Sequence, residues 1–427
     1  MVVGVLVRVL APLAMAASML TLAGCQHSIS SEPHIGKLTL QFWNGFTGPD
    51  GTTMERIVRK FNAEHRDVQV RMQIIPWGTY YDKITLGLAY GGAPDVFVVH
   101  ASRFPEYADS GALNRIDDLV SAGRIDPNDF TPRVWTASRY GGKRYALPLD
   151  CHAIGLYYNT ELFKKAGIVD ASGNAKPPTN LTEFLQIARK LTKDTNSDGK
   201  PDQWGFAYTW LRSNAHTFLA QFGTGMLTRD IHKSDLDSPQ ALEAMQLMSD
   251  IIYKHKVCPP PEGQDAWIGF QTGRVAMAIE GIYMISSLEQ QKGLKFAGAP
   301  CPMFGRQRAV WADSHFLVMP KSISPQRRRA AWLFMAYLSD HSLMWAKGGQ
   351  LPVRKSLLST RQFRAMPVQY QFSKELPYVV YQPASTALNQ INPFGDAMVE
   401  AVLGASQPTE DALREAAGRI NRVLERQ

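Results

Sequence analysis

The stretch YALPLDCHAIGLYYN, residues 145–159, decides how we expect this chain to fold. Pro148 has no backbone N–H to donate to a neighbouring strand, so it favours a strand end, where the chain leaves a sheet. Ile154, Leu156 and Tyr158 then alternate as in a strand, and Asn159 ends the pattern. The segment is therefore predicted to be a hinge strand that connects two parts of the molecule.

Asp150 and His152 are polar side chains within this otherwise apolar segment. They are two residues apart, so on an extended chain both point to the same side. One interpretation is a core pair whose polar groups find their partners inside the protein. The other is a pair that faces a ligand cleft and binds the ligand from its floor. The pattern alone leaves both open, and the second is the hypothesis we follow.

Residues 1–24 have the pattern of a signal peptide. Residues 2–22 are apolar apart from Arg8, a proline and a few small polar residues, and the small residues before Cys25 are typical of a cleavage site. An uncleaved membrane anchor is the alternative, although the apolar run is short. The ending LAGC, residues 22–25, resembles a bacterial lipobox. That resemblance implies that Cys25 is lipidated and that residues 25–36 form a lipidated tether.

Length, charge and cysteine content narrow the class of protein. A chain of 427 residues is too long for one hydrophobic core and suits two lobes. The net charge of +8 is spread thinly, and we interpret it as solubility and proximity to a membrane surface rather than nucleic-acid binding. Beyond Cys25 there are three cysteines, Cys151, Cys258 and Cys301, and no CxxC motif. Neither a disulfide framework nor a metal knuckle is indicated.

Strand and helix patterns alternate along the first part of the chain. Strands are predicted at residues 37–42, 68–75 and 95–99, with helices at 53–64 and 80–90 between them. This alternation is typical of an α/β sheet with parallel strand pairs, in which ligands bind beyond the carboxyl ends of the strands. The loops at those ends contain Trp43, Asn44 and Trp77, and the stretch from His100 to Arg103 that includes Ser102.

The second part continues in the same style. Helical spacing is predicted at residues 181–191, 238–255, 327–339 and 409–424, and strands at 276–279, 297–303 and 316–319.

Six segments together resemble one protein family. They are FNAEHRDVQV (61–70), GGAPDVFVV (91–99), LPLDCHAIGLYYN (147–159), PPTNLTEFLQIARKLT (177–192), GRVAMAIEG (273–281) and LPVRKS (351–356). In this order they resemble the family-1 extracellular solute-binding proteins of ABC importers, over nearly all of the chain after the signal peptide.

The resemblance implies a fold and a function. The fold is a two-lobed α/β periplasmic-binding-protein fold of type II, which closes like a clam shell. Its members bind sugars, oligosaccharides or glycerol phosphates and donate them to the transmembrane subunits of an ABC permease. The resemblance implies no enzymatic activity and no cofactor, a monomer without nucleic-acid partners, and an extracytoplasmic location with a lipid anchor in the cell membrane.

It also implies where the lobes divide. Lobe one would comprise residues 37–149 and a return segment at 313–350. Lobe two would comprise residues 150–312 and 351–427, the latter with the C-terminal helices.

The resemblance assigns candidate ligand-binding residues. His100, Ser102 and Arg103 lie in the loop that contacts sugar hydroxyls in maltose-binding relatives. His152 stands where relatives have an acidic ligand residue, with Asp150 two residues earlier. Further candidates for ligand binding are Gly281, Tyr283 two residues later, where relatives place a stacking Trp, and Phe394, near another stacking position.

The chemistry of sugars supports the same type of site. A sugar offers apolar ring faces and a belt of hydroxyls, so its site needs flat aromatics beside planar polar groups. Five aromatic residues lie at or near predicted strand ends: Trp43, Trp77, Trp210, Tyr283 and Trp311. Polar residues that could bind sugar hydroxyls lie near them: Asn44, Asp150, Glu280 and Asp313. The alternative is that the aromatic residues belong to the ordinary core.

Other ligands and other classes of protein remain open. A glycerol-phosphate-type ligand is the alternative, because Arg103 or Arg354 could form a bidentate pair with a phosphate. A secreted glycosidase would also present aromatics and two carboxylates, but no GxSxG, HExxH or phosphate-loop motif occurs. A structural or adhesive lipoprotein would need no cleft.

The stretch from Asp194 to Asp202 has the spacing of the first half of an EF-hand loop, with Asn196 and Asp198 between. The glutamate expected at the end of such a loop is replaced by Gly205. A tight turn without metal is therefore favoured, and a calcium site is the alternative.

Overall fold

The structure is a computed structural model, and it describes residues 38–262 and 265–426. The predicted signal peptide, the lipidation site Cys25 and the tether lie outside the described residues. Within them, no helix combines the length and the apolar character that a membrane span requires.

The strands of the described chain have the following bounds: β1 Leu38–Asn44, β2 Val68–Ile74, β3 Val96–His100, β4 Arg139–Tyr140, β5 Lys143–Arg144, β6 Ala146–Pro148, β7 His152–Asn159, β8 Ala207–Tyr208, β9 Met277–Gly281, β10 Phe296–Ala299, β11 Val310–Asp313, β12 His315–Val318 and β13 Val379–Val380.

The α-helices are α1 Pro49–Glu64, α2 Trp77–Tyr90, α3 Phe104–Asp109, α4 Asp117–Ser121, α5 Pro132–Ala137, α6 Thr160–Lys165, α7 Leu181–Leu191, α8 Leu211–Phe222, α9 Pro239–Tyr253, α10 Ala266–Gln271, α11 Ile285–Glu289, α12 Pro325–Asp340, α13 Ser342–Ala346, α14 Lys355–Leu358, α15 Arg361–Arg364, α16 Pro367–Ser373, α17 Leu388–Leu403 and α18 Thr409–Leu424. Short 3₁₀ helices occupy Pro127–Asp129, Ile282–Met284 and Leu376–Tyr378.

Two sheets organise the molecule into two α/β lobes. The first sheet has the strand order β2-β1-β3-β12-β6, and the structure around it is called lobe one. The second has the order β13-β11-β7-β9-β8, with β10 also paired to β7, and the structure around it is called lobe two. In lobe one, β1 runs parallel to β2 and β3, whereas β12 runs antiparallel to β3 and β6.

The chain passes between the two sheets three times. The third passage runs from β12 to β13 and pairs Leu351 with Cys151, and the first two are neighbours. Pro148 ends β6 in the first sheet, as its missing N–H predicts, and His152 begins β7 in the second. Asp313 ends β11 in the second sheet, and His315 begins β12 in the first. Because β12 pairs with β6 and β11 pairs with β7, these first two crossings lie side by side. Residues at the crossings therefore have access to both lobes.

The central strand β7 is buried along its whole length. All eight residues of β7 are buried, since the strand has neighbours on both edges and is covered on both faces. The helices that cover the sheets show the expected apolar face, such as Met54, Ile57 and Phe61 in α1. Serine side chains cap the N-termini of α9 and α12, and each such cap stabilises a helix by about 1 kcal/mol.

Candidate functional site

A cavity of about 590 Å³ lies between the two sheets, beside the places where the chain crosses. Both lobes contribute to its lining. Nine residues predicted from the sequence line it: Trp77, His100, Ser102, Arg103, His152, Trp210, Tyr283, Trp311 and Asp313. They come from loops and strand ends, where ligand contacts in α/β proteins are expected.

Three aromatic side chains form one side of the cavity, which we call the aromatic wall: Trp210, Tyr283 and Trp311. The ring centroids of Trp210 and Trp311 are 5.0 Å apart, those of Trp210 and Tyr283 are 5.9 Å apart, and both pairs are edge-to-face. Trp210 is 37% exposed, whereas Trp311 is 7% exposed. The aromatic wall therefore has one partly exposed ring, that of Trp210, which packs against the more deeply buried rings of Tyr283 and Trp311.

Two glycines make room for aromatic rings at the cavity. A Cβ atom at Gly281 would lie 2.1 Å from the ring of Tyr283, and one at Gly45 would lie 2.2 Å from the ring of Trp77. Gly281 therefore does not line the cavity itself, although the sequence suggested that it binds the ligand. Glu280 is buried beneath the same turn and accepts a hydrogen bond from the Tyr283 hydroxyl at 3.2 Å. Both residues position Tyr283.

Three histidines meet at the crossing, and we call them the histidine cluster: His100, His152 and His315. Their ring centroids are 4.5 to 5.6 Å apart. His100 and His315 are direct partners on the neighbouring strands β3 and β12 of lobe one, and His152 comes from β7 of lobe two. All three rings line the cavity.

Asp150 lies under the histidine cluster rather than in the cavity. Its side chain is 0% exposed, and it accepts hydrogen bonds from the backbone N–H of His315 at 3.0 Å, from His315 Nδ1 at 2.7 Å and from Trp345 Nε1 at 2.6 Å. His152 Nδ1 adds a weak contact at 3.5 Å. The expectation that Asp150 faces the ligand is wrong, because these donors enclose its carboxylate. The core-pair interpretation fits Asp150, and His152 faces the cavity.

Charge is concentrated in this network. Burial alone raises the pKa of Asp150, but His315 and the hydrogen bonds from both histidines more than offset it, so the pKa lies below its usual range. Burial lowers the pKa of His315, yet Asp150 outweighs that effect and holds the pKa above its ordinary value. Burial, with His315 and His152 nearby, holds the pKa of His100 well below its ordinary value.

Arg103 of lobe one and Asp313, at the end of β11, provide polar groups at the cavity. The Asp313 carboxylate accepts hydrogen bonds from the Ser102 hydroxyl at 2.6 Å and from the Ser102 backbone N–H at 3.1 Å. The Arg103 guanidinium lies over the ring of Tyr81, 4.4 Å from its centroid, and contacts Glu106 at 3.1 Å. Its Nε atom is buried and has no hydrogen-bond acceptor among the described residues.

The remaining predicted site residues lie elsewhere. Trp43 is half-buried outside the cavity lining, and Asn44 is fully buried, where its side-chain oxygen accepts a hydrogen bond from the Phe46 N–H. Arg354 is paired with Asp129 and Asp340. Phe394 lies against Arg419 of α18, with the ring centroid 5.8 Å from the guanidinium carbon. None of the four lines the cavity.

Several lining residues carry no signal that sequence analysis singled out. His315 begins a short buried strand, and Arg212 lies in α8, where it binds Asp396 through Nε at 2.6 Å. The other unpredicted lining residues are Thr47, Gly48, Pro49, Asp50, Met284, Ser287, Gln350, Gln382, Asn389 and Asn392. A spacing of three residues places Asn389 and Asn392 on one face of α17, which was the available clue.

The stretch from Asp194 to Asp202 forms a tight turn through its own hydrogen bonds. Asp194 accepts from the backbone N–H groups of Ser197 and Gly199 at 2.6 and 2.8 Å, and Asp202 accepts from Thr195. The carboxylates are thus occupied within the turn. Among the described residues, three potential metal-ligating side chains come together at the histidine cluster instead.

Two α/β lobes with a lined cavity between them, joined by strands that cross side by side, define a protein that encloses a small ligand. Residues 46–342 match the model of the bacterial extracellular solute-binding proteins, and the chain belongs to that family. The family works outside the cytoplasm and consists of binding proteins rather than enzymes.

Sequence identity to individual relatives is low. The arabinooligosaccharide-binding protein of Bacillus subtilis is 24% identical over 360 residues, covering 81% of this chain and 80% of the relative. The sn-glycerol-3-phosphate-binding periplasmic protein of Brucella melitensis is 23% identical over 417 residues, covering 90% and 93%. A solute-binding protein of Thermotoga lettingae, bound with α-D-tagatose, has a TM-score of 0.76 and 26% identity over 91% of this chain and 100% of its own.

Proposed function

We propose that this chain is the substrate-binding lipoprotein of an ABC transporter, and that it captures a sugar or oligosaccharide outside the cytoplasmic membrane and delivers it to the permease. The observation that carries the proposal is the aromatic wall beside polar side chains in a cavity between two lobes. Family membership and the sugar ligands named for several relatives support it.

The lining matches the two surfaces of a sugar. Trp210, Tyr283 and Trp311 offer aromatic faces and edges for the apolar C–H surface of a pyranose or furanose ring. In the same lining, the Asp313 carboxylate can accept hydrogen bonds from hydroxyls, and the amides of Gln382 and Asn392 can accept or donate them. A volume of about 590 Å³ is within the range of sites that enclose small ligands.

Calorimetric titration with a panel of mono- and oligosaccharides tests the proposal. We expect one sugar to bind, and Trp210→Ala to weaken that binding by about tenfold or more, because the variant removes the most exposed ring of the wall. Trp43→Ala is the matched control, since Trp43 is half-buried and does not line the cavity. Equal losses in the two variants, or no binding of any sugar, would contradict the proposed site.

A glycerol-phosphate-type ligand is the second candidate. Arg103 favours it, because its guanidinium lines the cavity and its buried Nε lacks an acceptor among the described residues. Two oxygens of a phosphate group could each accept a hydrogen bond from the Arg103 guanidinium and so form a bidentate pair. Arg354, the other arginine considered, is already paired with Asp129 and Asp340 and does not line the cavity. Binding of glycerol 3-phosphate that Arg103→Lys abolishes, with no sugar bound, would favour this ligand class.

The proposal includes a lipid anchor at Cys25, a monomeric state and delivery to the transmembrane subunits of a permease. Several acyl chains on one residue suffice for stable anchoring. Cys25→Ala is expected to release the protein from membranes or to leave an unprocessed precursor. A variant that fractionates with membranes at the normal mature mass would rule the anchor out.

A further inference from the structure

The histidine cluster has a feature that sugar binding does not require. A ring nitrogen of His100, one of His152 and one of His315 all lie within 4.8 Å of one another. The rings also border the cavity, so an ion or ligand can reach them. Three imidazoles in such proximity are a common ligand set for Zn²⁺ and related divalent ions.

Hydrogen bonds fix which nitrogen of each ring is available. The Nδ1 atom of His315 is bound to Asp150 at 2.7 Å, and that of His152 contacts the same carboxylate at 3.5 Å. The Nδ1 atom of His100 is hydrogen-bonded to the Tyr81 hydroxyl. Each Nδ1 atom thus faces an oxygen, and the Nε2 atoms make no hydrogen bond among the described residues. Metal-ligating histidines typically have this arrangement, in which a carboxylate or another oxygen orients the ring through the nitrogen that does not bind the ion.

The surrounding charges favour a cation. Asp150 lies directly beneath the cluster, and the carboxylates of Asp50 and Asp313 line the same cavity. Two arginines also line it, but Arg212 is neutralised by Asp396 and Arg103 contacts Glu106. The carboxylates closest to the histidines therefore give the site a negative field.

The spacing requires a small movement. Zn–N bonds of about 2.0–2.1 Å place the nitrogens of a tetrahedral site about 3.3 Å apart. His100 and His315 are fixed relative to each other on β3 and β12, whereas His152 belongs to the sheet of lobe two. Nitrogens up to 4.8 Å apart must approach one another by up to about 1.5 Å to reach that spacing, and a shift of lobe two, which carries His152, relative to lobe one contributes to this approach.

We propose that His100, His152 and His315 bind a divalent transition-metal ion of the Zn²⁺ class through their Nε2 atoms. Two ligands come from lobe one and one from lobe two, so the ion links the lobes. A fourth coordination position faces the cavity, where water or an oxygen atom of the bound solute completes the coordination. The ion is then part of the ligand-binding surface.

Metal alone is the probe. The full-length chain is treated with a chelator, dialysed, and titrated with CoCl₂ and ZnCl₂ by calorimetry and visible absorption. We expect one equivalent to bind, and the cobalt protein to show the intense visible bands of tetrahedral coordination. His152→Gln and His100→Gln are each expected to weaken binding by about a hundredfold, since each removes a ligand rather than a supporting partner.

A matched control separates the cluster from other histidines. His232 is exposed in a loop of lobe two, and His232→Gln should leave metal affinity within about twofold. Melting curves in chelator show whether the His152 and His100 variants remain folded. Absent binding, a pale octahedral cobalt spectrum, or equal affinity in all variants would overturn the proposal. Sugar titration in chelator is a separate measurement, so failure of the metal site leaves the proposed transport function testable by itself.

Discussion

Asp150 and Glu375 are both buried completely, yet they have opposite surroundings. Asp150 lies between the two sheets, where His315 and Trp345 donate three hydrogen bonds to its carboxylate. Glu375 lies within lobe two, where one oxygen accepts from the Cys301 N–H at 2.7 Å. Its other oxygen is enclosed without a partner among the described residues.

The two pKa values differ accordingly. Burial raises the pKa of both carboxyls, but for Asp150 the charge of His315 and the hydrogen bonds outweigh burial, so its pKa lies below the usual range. For Glu375 burial dominates, and its pKa lies well above the usual range. The positive charge and the donors beside a buried carboxyl, rather than burial itself, therefore decide whether it carries charge. The pKa shifts thus favour a charged Asp150 beneath the cavity and a neutral Glu375 inside lobe two.

Among the variants that test this difference, Asp150→Asn is expected to change the stability of the protein most. Asp150→Asn removes the charge that pairs with His315 and turns an acceptor into a donor that faces other donors. Loss of one partner from a buried pair should lower the free energy of unfolding at pH 7 by about 4 kcal/mol. Urea denaturation measures it, with Asp67→Asn at an exposed carboxylate as the control. A loss below about 1 kcal/mol would mean that the network contributes little.

Trp345→Phe tests a single donor of the same network. The indole N–H donates to Asp150 Oδ2 at 2.6 Å, so the variant removes a hydrogen bond to a charged group while two donors remain. We expect a loss of about 2 kcal/mol beyond the cost of reduced packing. Trp332→Phe, at another buried tryptophan, measures the packing cost. If both variants lose the same free energy of unfolding, the hydrogen bond from Trp345 to Asp150 makes no net contribution to stability.

Glu375→Gln should have the smallest effect and the opposite sign. The folded protein keeps Glu375 protonated above the pH at which the unfolded chain ionises, about 4.3. Wild-type stability therefore falls relative to the variant as the pH rises from the unfolded pKa towards the folded one. We expect equal unfolding free energies near pH 4 and a variant about 1–2 kcal/mol more stable at pH 7. A gap that does not grow with pH would refute the neutral form of Glu375.

Much of the fold follows from local patterns. The apolar spacing of Leu413, Ala416 and Ile420 predicts the C-terminal helix, and α18 spans the same residues, Thr409–Leu424. The ends of strands are harder to predict than their presence. A strand is predicted at residues 297–303, but β10 ends at Ala299, because Pro300 and Pro302 cannot donate hydrogen bonds to a partner strand.

The site is predictable only where a residue's position in its own element decides its direction. Trp77 follows β2, His100 ends β3 and Trp311 lies within the short strand β11, and all three line the cavity. Phe394 fails because it lies two residues after Asn392 on α17, and a step of about 200° turns it towards α18. His315 was missed because only the antiparallel pairing of β12 with β3 brings it beside His100. No local pattern contains that register.

Gly45 and Gly281 control the position of two rings that line the cavity, although neither glycine lines it. Each leaves the space that a methyl group would fill, and an aromatic ring, that of Trp77 or Tyr283, occupies it. A methyl group added at either position would displace a ring that lines the cavity without replacing any lining residue. Selectivity among solutes can therefore be adjusted from behind the rings, by evolution or by design, while every contacting side chain keeps its identity.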